Sequence, residues 1–154
     1  MPNATTQTQF IVLGHGHFAS GLISAATFIG GPRANLYAID FVDGMSDETL
    51  AQVLSEYVQT CSADAELVFI CDLLGGSPYK VAAPWVLRYP KRCQLVVGVN
   101  LGALIDTLLK ASKLDAAAAA ENLIQASAKY LYTFEAPAPD SATASKAETP
   151  ADGI

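Results

Sequence analysis

Four apolar runs recur along the chain at intervals that leave room for one helix between each pair: FIVLG (10–14), NLYAIDF (35–41), ELVFICD (66–72) and CQLVVGV (93–99). They are nearly continuous in apolar residues, as expected of strands covered on both faces rather than strands with one face in water. Strands alternating with helices imply βαβ units and a parallel sheet. The fold class is therefore α/β: an open, doubly wound, mainly parallel sheet with helices on both faces. With the common strand order 2-1-3-4, strands one and three are neighbours.

The segments between the runs carry helix signals. In SDETLAQVLSEYVQT, Ser46 is a good N-cap, Asp47 and Glu48 suit the positive end of the helix, and Leu50, Val53, Leu54, Tyr57 and Val58 form one stripe. SPYKVAAPWVLRY offers Ser77 as N-cap and Pro78 at the first helical position, with Pro84 expected to kink or shorten the helix. NLGALIDTLLKAS places Leu101, Leu104, Ile105, Leu108 and Leu109 on one face, and LDAAAAAENLIQASAK has high helix propensity. KYLYTF (129–134) reads as a C-terminal edge strand or a segment that pairs with another subunit. Residues 135–154, rich in Ala, Pro, Ser and acid, lack the apolar surface to order themselves and read as a tail or linker after a domain spanning 1–134.

Composition narrows the function. A 154-residue chain supports one ordinary core, and 51% hydrophobic against 16% charged residues fits a well-covered α/β interior. A net charge of −6 argues against nucleic acid or an anionic membrane surface as partner. No apolar run is long enough to span a bilayer, so a cytoplasmic location is expected. Cys61, Cys71 and Cys93 are odd in number and lack C-x-x-C spacing; Cys71 and Cys93 fall in or beside apolar runs and read as small core residues.

Ligands in open parallel sheets bind beyond the carboxyl ends of the strands, where strand order reverses. Strand one ends in Gly14-His15-Gly16-His17, which holds both histidines of the chain, and strand three ends in Asp72-Leu73-Leu74-Gly75-Gly76-Ser77-Pro78. Neighbouring strands bring His15 and Asp72 to one edge. A carboxylate on one ring nitrogen fixes the tautomer and leaves the other nitrogen as nucleophile or ligand. GGSP adds backbone N–H groups and a helix N-terminus, a cradle for an anion. Together these suit acceptance of a phosphoryl group on histidine, which needs mainly positioning and charge neutralisation.

Each element also has a structural reading. The glycines serve a tight turn, Ser77 caps a helix, and Asp40 and Asp43 satisfy turn amides around Gly44. An H-x-H metal pair of His15 and His17 competes, but no further histidine exists to complete it, and no metal or cofactor is expected. Lys80, Arg88, Lys91 and Arg92 read as a solvated face, with Lys80 one turn from the anion site.

IVLGHGHFASGL, IDFVDGMSDETL, VFICDLLGGSPYKVA and VVGVNLGALIDTLL, in this order and spacing, resemble the IIA component of the mannose, fructose, sorbose and N-acetylgalactosamine class of the bacterial phosphoenolpyruvate-dependent sugar phosphotransferase system, over roughly residues 8–134. The resemblance implies a cytoplasmic phosphocarrier that takes a phosphoryl group from the protein HPr and passes it to a IIB partner, in indirect association with membrane IIC and IID components. It implies His15 as phosphoryl acceptor, Asp72 as the acid that orients it, and Ser77 with the Gly75 and Gly76 amides as phosphoryl-binding groups. A docking rim of His17, Phe18, Leu73, Leu74 and Lys80 would surround them. It also implies a homodimer in which KYLYTF is exchanged between subunits. The alternatives are the phosphocarrier subunit of a dihydroxyacetone kinase system, and a flavodoxin-like regulatory or anion-binding module in which His15 is never phosphorylated.

Overall fold

The computed structural model describes residues 7–138. Four parallel strands form one sheet in the order β2-β1-β3-β4: β1 (Gln9–His15), β2 (Leu36–Phe41), β3 (Leu67–Cys71) and β4 (Cys93–Val97). Order reverses between β1 and β3, as expected from the four apolar runs. The register pairs Leu13 of β1 with Cys71 of β3, and His15 with Phe41 of β2. The ends of all three strands therefore meet at one edge.

Period-two alternation splits the core into two layers. Phe10 and Val12 of β1 and Val68 and Ile70 of β3 point to one face, where α1 (Phe18–Gly30), α4 (Leu101–Lys110) and α5 (Ala116–Lys129) bring Ala19, Ala103, Leu104 and Leu123. Ile11, Leu13, Leu67, Phe69 and Cys71 point to the other, against Leu50, Leu54 and Val58 of α2 (Asp47–Thr60) and Ala82 of α3 (Ser77–Arg88). All five residues of β3 are buried, which explains the absence of polar alternation in its sequence.

Ser46 caps α2 as expected, and two further helices are capped by side chains. The Ser46, Asn100 and Asp115 side chains each accept an N–H in the first turn of α2, α4 and α5. For α3 the expected cap is corrected, and Pro84 does not shorten the helix. The cap residue is Gly76, not Ser77, so Ser77 is the first helical residue and Pro78 the second. The helix also runs through Pro84 to Arg88; the missing bond is only the one that a residue-84 N–H would have made to Lys80.

KYLYTF is not a strand within the described chain. Lys129 ends α5, Tyr130 caps it, and 131–138 follow without regular structure, leaving Leu131, Tyr132 and Phe134 more than four-fifths exposed. Most of the Ala- and Pro-rich tail, from residue 139, lies outside the described residues. Among the described residues, no helix is long and apolar enough to cross a membrane.

Candidate functional site

The site grows from the reversal point. His15 is the last residue of β1, and Asp72 follows the last residue of β3. One carboxylate oxygen, Asp72 Oδ2, accepts the His15 main-chain N–H at 2.8 Å and lies 2.9 Å from His15 Nδ1. The strand end and the ring are thus fixed by the same atom. Partial burial pushes the Asp72 carboxyl up, but the hydrogen bonds and charge of His15, with the Leu73 N–H, outweigh it and hold Asp72 below the ordinary carboxylate value. An ionised carboxylate only accepts, so Nδ1 carries a proton, and in the neutral ring Nε2 is the nitrogen with the lone pair.

Two contacts shape the space around that ring, and a third, at Gly14, lies next to it in sequence. Phe41, the β2 residue opposite His15, meets it edge-on at 5.6 Å between centroids and 80° between planes. Gly76 lies beneath it: a Cβ there would sit 2.7 Å from His15 Cε1, so only glycine lets the α3 N-terminus come this close. Gly14 does the same for Phe18, whose Cδ1 would lie 2.3 Å from a Cβ at position 14. Phe18 is half-buried and packs against the core.

The other expected site residues fall as follows. Leu73 and Leu74 are exposed, as a docking rim requires, and Lys80 is exposed on the first turn of α3. Gly75 holds φ of +77°, and the Gly76 N–H closes the turn onto the Leu73 carbonyl at 3.2 Å, so in this structure that amide serves the turn. Ser77, half-buried, opens α3 next to Gly76.

His15 and His17 are held by different carboxylates. His17 Nδ1 lies 3.1 Å from Asp40 of β2, a different carboxylate from the one that holds His15. Asp40 also accepts the Ser20 N–H at 2.9 Å and the Ser20 hydroxyl, so it caps α1 rather than the turn around Gly44. Cys71 and Cys93 are buried as expected, and burial pushes the Cys71 thiol up to about 12. Arg92 is tied to the carbonyls of Ala65 and Ser62, a structural role at the far end of α3.

Sequence reasoning missed Phe41 and the Asp40–His17–Ser20 cluster. The only signal that could have found them was the β1–β2 register, which sets Gly14 opposite Asp40 and His15 opposite Phe41.

An imidazole aimed by a strand-end carboxylate, over a glycine that opens a helix, is the setting in which the comparisons with known proteins become specific. The family model described as PTS system fructose IIA component matches residues 9–124. The chain belongs to that family. The fructose-specific EIIA component of Bacillus subtilis is 32% identical over 98 residues, 64% of this chain and 66% of that protein. The mannose-specific EIIAB component of Escherichia coli K12 is 32% identical over 100 residues, 64% of this chain but only 31% of that longer protein. Among solved structures, the phosphotransferase system component EIIA of Streptococcus agalactiae superposes with a TM-score of 0.75 at 25% identity, covering 82% of this chain and 96% of that one. The mannose/sorbose-specific IIA subunit of Enterococcus faecalis gives 0.76 at 21% identity, over 86% and 98%, a likeness of fold.

Proposed function

We propose that this IIA-family chain is the phosphocarrier of a sugar phosphotransferase system, accepting a phosphoryl group on His15 Nε2 from phosphorylated HPr and passing it to a IIB component. The observation that carries the reading is the His15–Asp72 pair: Nδ1 is occupied, Nε2 holds the lone pair, and the side chain is 42% exposed at the strand-order reversal. A donor or acceptor protein can reach such a ring, whereas a deep pocket would exclude it.

The chemistry balances without an external acid or base. Nε2 attacks phosphorus, the P–N bond of the donor phosphohistidine breaks, and the donor ring leaves as neutral imidazole. The His15 ring becomes a phosphorylated imidazolium that keeps its Nδ1 proton, and Asp72 carries the opposing charge. Ser77 and the amides at the start of α3, with the positive end of that helix, would hold the phosphoryl oxygens. The reverse exchange delivers the group to IIB. No metal is needed, since charge neutralisation comes from amides and the helix end.

The same reading places the chain in the cytoplasm, in indirect association with membrane IIC and IID components, and makes it a homodimer. Leu131, Tyr132 and Phe134, exposed just past α5, are the apolar surface that a second subunit would cover, and both edge strands of the sheet, β2 and β4, are open to pairing. Sedimentation of the full chain against one ending at Tyr130 tests this, with a dimer expected only for the full chain.

The central test incubates the protein with phosphoenolpyruvate, enzyme I and HPr and follows an acid-labile mass gain of one phosphate. Wild type should gain it and His15→Ala should not. Equal behaviour of the two would overturn the assignment.

A further inference from the structure

The second imidazole of the loop has no part in the transfer chemistry described above, yet it too has a carboxylate at Nδ1. His17 Nδ1 lies 3.1 Å from Asp40 Oδ2, and Asp40 is anchored in turn by the Ser20 N–H at 2.9 Å and the Ser20 hydroxyl. Burial pushes the Asp40 carboxyl up, but the Ser20 bonds and His17 outweigh it, so Asp40 stays ionised. His17 Nδ1 therefore carries a proton and donates it, and Nε2 points away from the carboxylate. The His17 side chain is nevertheless 83% exposed.

Helix capping does not account for the ring. Ser20 already supplies Asp40 with two hydrogen-bond donors, so α1 is capped without His17. An exposed ion pair gains little stability, and pinning the side chain costs rotamer freedom. What the arrangement produces is an exposed, preset ring two residues along the chain from the nucleophile, with Nε2 turned away from its carboxylate.

We infer that His17 is the contact through which the site binds the phosphoryl group of its donor protein before transfer, with Asp40 as the positioning residue that aims it. The inference rests on the phosphocarrier reading and adds a recognition element to it. A phosphohistidine brings a dianion to a chain of net charge −6, at an edge that already holds the carboxylates of Asp40 and Asp72. Lys80 is exposed on the first turn of α3, and His17 directly precedes α1, so these two side chains are the groups near the site in sequence that can oppose that charge. As the dianion docks, the exposed His17 Nε2 takes up a proton from solvent and donates it in a charge-assisted hydrogen bond to a phosphoryl oxygen, while Asp40 balances the imidazolium. No covalent bond forms at His17. A ring held at one nitrogen binds with less ordering cost than a free one, which is the value of Asp40.

The test measures initial rates of phosphorylation by purified phospho-HPr, as a function of its concentration, for the full-length wild type, His17→Ala, His17→Gln and Asp40→Asn, with the phosphorylated residue mapped by mass spectrometry. His17→Ala should raise KM for phospho-HPr about tenfold, the scale of one exposed charge-assisted bond, and change kcat by less than about threefold. His17→Gln, whose amide can place a donor near the position of Nε2, should recover most of that loss, and Asp40→Asn should fall between. An unchanged KM in His17→Ala would overturn the inference. So would a His17→Gln variant no better than His17→Ala, or phosphate mapped to His17 itself, which would make it an acceptor rather than a contact. Wild type that gains no phosphate at all would instead overturn the phosphocarrier reading beneath it.

Discussion

The chain contains two imidazole–carboxylate pairs two residues apart, and they are alike at the point of contact: Nδ1 to Asp72 at 2.9 Å for His15, Nδ1 to Asp40 at 3.1 Å for His17. Their surroundings differ. Asp72 binds the main chain and the ring of the same residue, so His15 is aligned with its strand; Asp40 binds the ring of one residue and the helix start of another. His15 has Phe41 at its edge and Gly76 beneath it, with its side chain 42% exposed against 83% for His17. A carboxylate on Nδ1 selects a tautomer in both cases. What distinguishes a phosphoryl acceptor is the set of groups that hold the incoming oxygens, and only His15 sits over the α3 N-terminus.

The sharpest break in the comparison is removal of each ring. His15→Ala should abolish acid-labile phosphorylation, a loss of at least about a thousandfold in rate, because no alternative nucleophile is placed over the cradle. The contrast with the modest, KM-limited effect expected of His17→Ala separates acceptor from contact. Phosphopeptide mapping of both variants reads the difference directly.

Next in size is the floor of the site. Gly76 has φ −70° and ψ 171°, a conformation any residue adopts, so Gly76→Ala carries no backbone strain. Its Cβ would nonetheless lie 2.7 Å from His15 Cε1 and displace a ring that Asp72 holds at two points. The expected result is a fall in phosphoryl-transfer rate of about a hundredfold, the cost of roughly 1 Å of misplacement, with Tm changed by only a few degrees. An unaltered rate would show that the ring yields freely and that its orientation matters little.

Exchanging the orienting acids gives a crossed result. Asp72→Ala should lower kcat about tenfold to a hundredfold, through loss of a charge-assisted hydrogen bond of about 1.5–3 kcal/mol. Asp40→Ala should leave kcat nearly intact and lower stability by about 1 kcal/mol, the usual value of a helix cap, or about 3 °C in Tm for a chain of this size. Thermal melts read beside kcat and KM separate the two; equal losses of kcat would erase the distinction between the pairs.

How much of this was legible in the sequence follows from how local each signal is. Strand runs, the Ser46 cap and the meeting of His15 with Asp72 depend on local pattern plus one topological rule, and the residues carry both. Phe41 and the Asp40–His17–Ser20 cluster depend on register between β1 and β2, which no short pattern encodes. Ser77 looked like a cap because Ser-Pro is a strong start signal, but Gly76 takes the extended cap conformation one residue earlier and frees Ser77 to begin the helix. KYLYTF has strand-forming side chains, yet strand is a property of pairing. Among the described residues the segment has no ladder partner, and Tyr132 and Phe134 stand in solvent.

The smallest expected effect concerns acid. Both orienting carboxylates, Asp40 and Asp72, titrate below their ordinary value of 3.8 in the folded chain. A group depressed on folding binds its proton more readily when unfolded, so its contribution is fully present above the unfolded value and is lost as pH falls through the folded one. Stability from these two sites should therefore be flat from neutrality to about pH 5 and decline below about pH 4. The two pairs part company in the variants: Asp72→Asn and Asp40→Asn should each flatten the acid limb of a urea-midpoint profile between pH 5 and pH 3, and the double variant should flatten it by the sum, because the carboxylates share no hydrogen-bond partner. A double variant that flattens the limb by much less than the sum would mean that the two imidazole–carboxylate pairs are coupled through the loop between them, and that the second histidine is tied to the first by more than its place in the chain.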